Sequence, residues 1–156
     1  MSSNFPYQRA PFVISSSDYF NLFNNYNESL CHKLTITFCF VINQTYSGES
    51  YKQIKRKEFK NRLCIKERWV SEQFNRICCR YNVEDSEYDY EIGNLIEISS
   101  MPSLSNLYRP NWDFIKLIMK YYSNHKFVYF NKHGKLCILV GKVEKVITRE
   151  KTYLMP

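Results

Sequence analysis

The chain has 156 residues, of which 44% are hydrophobic, 17% aromatic and 24% charged, and its 22 Lys and Arg against 15 Asp and Glu give a formal net charge of +7. This length and apolar content suffice for one hydrophobic core without disulfides or a metal, and they exclude a chain disordered over most of its length. The six cysteines include Cys39 between two Phe and Cys137 between Leu and Ile, the setting of small buried thiols in a reducing compartment rather than of a disulfide framework.

Residues 1–16 mix Pro6, Pro11 and polar side chains without a period, which predicts a loose N-terminal arm ahead of a single α+β domain over 17–156. From 18 to 31 the positions Tyr19, Phe20, Phe23, Tyr26 and Leu30 recur at three-to-four spacing and predict a helix. The β-branched and aromatic run 34–42 reads as the strongest strand of the chain, buried on both faces. A turn carrying Gly48 follows. Between 51 and 81 two readings compete. Phe59, Leu63 and Ile65 permit a strand over 58–66, with a second over 73–83, and this is the favoured reading; Trp69, Val70, Phe74 and Ile77 also fit one face of a helix.

The polar cluster 84–87 predicts a hairpin turn, and 88–99 a strand with a bulge or bend at Gly93. A loop is expected over 101–110, where two prolines and several Ser and Asn residues gather. The clearest helix is 111–124, wrapped by Phe114, Ile115, Leu117, Ile118, Met119, Tyr121 and Tyr122, with Asn124 placed for a left-handed stop. Two last strands, 126–131 and 136–147, are joined by a Lys-His-Gly-Lys turn whose Gly134 supplies positive φ. The expected architecture is α+β: a mostly antiparallel sheet with two helices packed on one side.

Charge is strongly segregated. The stretch 52–80 holds ten basic residues, Lys52, Lys55, Arg56, Lys57, Lys60, Arg62, Lys66, Arg68, Arg76 and Arg80, against three glutamates. Residues 109–156 hold ten more against three acids, while 81–108 carries six carboxylates and no Lys or Arg. Clustered positive charge interleaved with Phe59, Trp69, Phe74 and Tyr81 is the chemistry that binds phosphate backbones and stacks on bases, so the first basic block with Trp69 is the candidate single-stranded nucleic-acid site. The competing reading makes the same cations the solvated faces of amphipathic elements and sends the aromatics into the core. No recognition module of RNA- or DNA-binding families is spelled out. The run 52–60 also suits a nuclear import signal.

Catalytic patterns are absent from the spacing. Cys31-His32 and Cys78-Cys79 are adjacent pairs, which rarely reach one tetrahedral zinc together, and the acidic run 84–89 lacks the glycine and closing glutamate of a calcium loop. His32, His125 and His133 are the only candidates for a triad base. Glu58-Phe59-Lys60 resembles the tail of a metal-dependent nuclease motif, but the match is two residues long. No cofactor is expected.

Alanine occurs once and glycine four times amid abundant Asn, Lys, Ile, Phe and Tyr, the imprint of an AT-rich coding sequence such as that of a small virus. No stretch of eighteen apolar residues and no apolar leader is present, so the expected location is cytoplasmic or nuclear, not secreted, with no membrane partner. Two functions follow as expectations: a non-enzymatic accessory protein acting through contact with a protein partner, or a nucleic-acid binder using 52–80.

Overall fold

The computed structural model describes residues 16–45, 50–80, 89–99, 107–124 and 127–148. The N-terminal arm before Ser16, the turn at 84–87 and the first part of the loop over 101–110 lie outside the described residues. The chain is α+β. Its strands form two small sheets rather than one, and several helices rather than two pack against them.

The helix expected over 18–31 is split into α1 (Ser16–Leu22) and the start of α2 (Glu28–Thr45). Asn27 begins the second helix by accepting the Leu30 N–H on its Oδ1 at 2.9 Å, and Glu28 favours the positive end of the helix dipole. α2 then runs straight through 34–42, so the expected strand is a helix. The cause is burial on nearly all sides: Leu34, Thr35, Thr37, Phe38, Phe40, Val41 and Ile42 are all inside. A run buried all round carries no apolar period, and a buried helix and a buried strand then read alike. Packing overrides the β-propensity, with Phe38 wedged between Phe23 at 5.5 Å and Phe74 at 5.2 Å.

Strand β1 (Lys52–Gln53) leads into α3 (Arg56–Leu63), where a strand over 58–66 was expected. Glu58 accepts the Lys55 N–H at 3.3 Å and closes the first turn, and Phe59 and Leu63, four apart, turn inward together. Cys64 ends the helix in the left-handed region, φ 58°, with its N–H on the Lys60 carbonyl. Glu67–Trp69, Val70–Phe74 and Asn75–Ile77 form one unbroken helical segment, α, π and α in turn, which we label α4. The helical reading of Trp69, Val70, Phe74 and Ile77 therefore holds against the second expected strand, of which only β2 (Cys79–Arg80) is extended among the described residues.

The strand expected over 88–99 shortens to β3 (Ile96–Ile98), preceded by a 3-10 turn, Ile92–Asn94. Leu107–Pro110, expected as loop, is strand β4, and it is central: the first sheet runs β1-β4-β3-β2. Only β2 and β3 pair in parallel there; the others are antiparallel. Helix α5 (Trp112–Ser123) matches its expectation, capped by Asn111. Its stop is not left-handed, since Asn124 has φ −92°.

The second sheet is β5 (Phe127–Phe130), β6 (Leu136–Val140) and β7 (Val143–Val146), all antiparallel. Gly134, φ 78°, turns the first hairpin as expected. Gly141, φ 63°, turns a second one and divides what read as a single strand over 136–147. α2 packs against β4, and α1 and α5 against β5, so both sheets share one buried cluster of aromatic and aliphatic side chains. No helix among the described residues is long and apolar enough to cross a membrane.

Candidate functional site

The first basic block folds mainly onto α3 and α4. Lys55 and Lys66 occupy the N-cap positions of the two helices, Arg56, Lys57, Lys60 and Arg62 lie on α3, and Arg68, Trp69 and Arg76 on α4. Lys52 sits on β1 and Arg80 on β2, at the two edges of the first sheet. Every cation of the block from Lys52 to Arg76 is exposed. On α3, Lys57 points most nearly away from buried Phe59, with Lys60 about 60° and Arg56 about 100° around the axis from it, and all three are exposed. Arg56 donates to Ser71 Oγ at 3.1 Å, which ties the start of α3 to the middle of α4. Arg62 turns the other way, its guanidinium 5.1 Å from the Phe40 ring.

Among the described residues, the only ion pair within this block is Arg68 to Glu72 at 3.2 Å, an exposed i,i+4 contact that water largely screens. The described part of the acidic stretch is engaged elsewhere. Glu97 on β3 lies directly across from Arg109 on β4 and accepts its guanidinium at 2.6 Å, while the same guanidinium stacks 4.3 Å from the Tyr51 ring. Glu91 and Asp89 both face the Lys135 ammonium, and backbone bridges from Glu91 to Lys135 and from Asp89 to Thr148 hold that arrangement. The hydrogen bond to Glu91 is the leading reason that the Lys135 pKa is raised. The described acidic residues at 89–97 thus neutralise part of the C-terminal basic block, and of the cations from Lys52 to Arg76 only Arg68 has an acidic partner among the described residues.

The aromatic half of the expected site does not assemble. Phe59 and Phe74 are fully buried, packed on each other at 6.1 Å, and offer no face to a base. Trp69 is half-buried: Phe74 covers it on one side at 6.1 Å, and the Lys33 ammonium stands 5.9 Å from its ring. Tyr81 lies outside the described residues. Lys33 is thus a basic neighbour that the sequence reading missed. It stands just before the strand expected over 34–42, and only a helix over 28–45 carries it to Trp69.

The residues weighed for catalysis stay apart. Among the described residues no three of His, Cys, Asp and Glu gather as a metal site requires. Glu58 and Lys60 sit two apart on a helix, about 200° around its axis, so they cannot share one face as a nuclease strand would present them. His32 and His133 are exposed, on α2 and in the first hairpin turn, and His125 lies outside the described residues. Burial pushes the Cys39 and Cys137 thiols up to about 11 and raises Cys31 as well, so these three are protonated, poor nucleophiles at neutral pH.

Comparison of the chain with protein-family models, with curated proteins and with solved structures finds no match.

Proposed function

We propose that this protein is a non-enzymatic binding protein whose α3–α4 surface engages the phosphate backbone of a nucleic acid. One observation carries the reading: Lys55, Arg56, Lys57, Lys60 and Lys66 stand exposed on or beside two contiguous helices, while the described acidic residues at 89–97 are paired with Lys135 and Arg109. Phosphate contacts of this kind release counterions and depend steeply on salt. With Phe59 and Phe74 turned inward, recognition rests on backbone charge more than on stacked bases, which departs from the single-strand stacking expected from the sequence.

Fluorescence anisotropy with labelled single-stranded and duplex oligonucleotides over a salt series tests this. Affinity should fall linearly in log–log form, and a Lys57→Ala, Lys60→Ala double variant should weaken binding and flatten the slope by about 1–2 units, near 0.9 per lost phosphate contact on duplex. Affinity that hardly moves with salt, or a variant that binds like wild type, rejects the reading.

A second reading, action through a protein partner, is favoured by apolar side chains left outside on the C-terminal sheet: Phe127 is 74% exposed and Val143 67%. A co-precipitated partner that survives nuclease treatment and is lost on Phe127→Ser, Val143→Ser substitution would support it.

A further inference from the structure

A cavity of about 600 Å³ opens between α1 and the C-terminal sheet, away from the basic block. Its apolar walls are Tyr122 of α5, Phe127 and Tyr129 of β5 and Leu139 of β6, and Asn21 of α1 with Asn24 and Asn25 just after it add to the lining. Its charged members are carboxylates, Glu144 and Asp18, and no Lys, Arg or His is among the described lining residues, although the chain as a whole carries +7.

The geometry holds this negative spot in place. Tyr129 donates its hydroxyl to Glu144 Oε1 at 2.8 Å, which orients the carboxylate and leaves Oε2 without a donor among the described residues. On the far wall the Tyr122 hydroxyl donates to the Asp18 carbonyl at 3.1 Å and fixes that ring. Aromatic faces attract cations through the ring quadrupole, most of all cations with apolar substituents, and a carboxylate beside them supplies the full opposite charge. A hard metal ion instead requires a cage of oxygen ligands, which one oriented carboxylate among rings does not make. The volume lies within the range of small-ligand sites.

We propose that this cavity binds an organic cation, an aliphatic ammonium group seated against Phe127, Tyr129 and Tyr122 with its charge on Glu144. Free diamines and the lysine side chain of an extended peptide share that chemistry. The site is separate from the nucleic-acid surface, and its fate does not depend on that reading.

The test is a heteronuclear NMR titration of the full chain with 1,4-diaminobutane, with a blocked Lys-Leu-Lys tripeptide, and with 1,4-butanediol as the uncharged control. Saturable shifts at Asn24, Phe127, Tyr129 and Glu144 are expected with a charged probe and not with the diol. Saturation by the diamine alone assigns the site to free amines, and by the tripeptide alone to a lysine-bearing segment; either supports the proposal. Glu144→Gln and Phe127→Ala change exposed side chains, so their melting should match wild type while affinity drops about tenfold, the scale of one lost charge or ring contact. The proposal is overturned if neither charged probe saturates, if the diol produces the same shifts, or if Glu144→Gln binds as wild type does.

Discussion

Gly93 has no room for a side chain. A Cβ built there would lie 2.5 Å from the Ile77 carbonyl oxygen and 3.3 Å from its carbon, so the obstacle is the backbone at the end of α4, not a side chain that can swing away. The sequence reading placed a bulge or bend at this glycine, and the structure gives the reason as close approach of two backbones. Gly93→Ala should therefore force apart α4 and the 3-10 turn before β3, at a cost of about 1–3 kcal/mol. Urea unfolding reads this as a lower midpoint with an unchanged slope, and a midpoint equal to wild type contradicts it. At the same scale, the basic residues were legible because Lys and Arg are almost never buried unpaired. The direction in which Phe59 and Phe74 face was not, since an aromatic residue inside a basic run reads the same whether it points inward or outward.

Among the elements, a helix with one clearly polar and one apolar face, such as α5, was readable, and α2, whose run 34–42 is buried on nearly all sides, was not. Helix α5 shows Phe114, Ile115 and Ile118 on its buried side and Asp113, Lys116 and Lys120 outside, and Asn111 Oδ1 accepts the Phe114 N–H at 3.3 Å to start it. Removing that cap by Asn111→Ala should cost about 1 kcal/mol, typical of a lost Asn cap. The loss should appear as a lower unfolding midpoint and faster amide exchange in the first turn of α5, and unchanged exchange there would show that the cap contributes nothing. Helix α3 was missed for a different reason: its inward positions are only Phe59 and Leu63, and with Ile65 following at the next odd position the three fit a strand as well as a helix. Its start signal was the Glu58 side chain returning to the Lys55 N–H, a capping contact without the usual Ser or Thr.

For the molecule as a whole, alkaline pH is the vulnerable side. Burial raises Tyr19 and Tyr122, pushes Tyr26 up to about 12, and pushes Cys39 and Cys137 up to about 11, from ordinary values of 10.0 and 9.0. These groups stay neutral in the fold, so above about pH 9 the unfolded chain loses its protons first and binds fewer than the native state, and stability falls. Lys135, raised chiefly by its hydrogen bond to Glu91, acts in the same direction: its contribution is complete below 10.5 and is lost as pH rises through its folded value. The melting temperature should hold steady from about pH 7 to 8 and decline beyond about pH 9. A melting temperature that stays level through pH 10–11 would show that these hydroxyls and thiols are not shielded from water as the burial implies.

The linear sequence determined the α+β class, the segregation of charge, the amphipathic helix α5 and the hairpin at Gly134, because each depends on neighbours a few positions apart: a surplus of cations, a 3.6-residue period, or a turn that demands positive φ. The tertiary structure alone decided that 28–45 is one central helix, that Leu107–Pro110 is a central strand, that Glu91 and Glu97 spend their charge on Lys135 and Arg109, and that Tyr129 and Glu144 meet across a cavity. Those outcomes depend on residues far apart in the chain arriving at the same place, and on burial from several sides, which removes the periodicity that local reading requires.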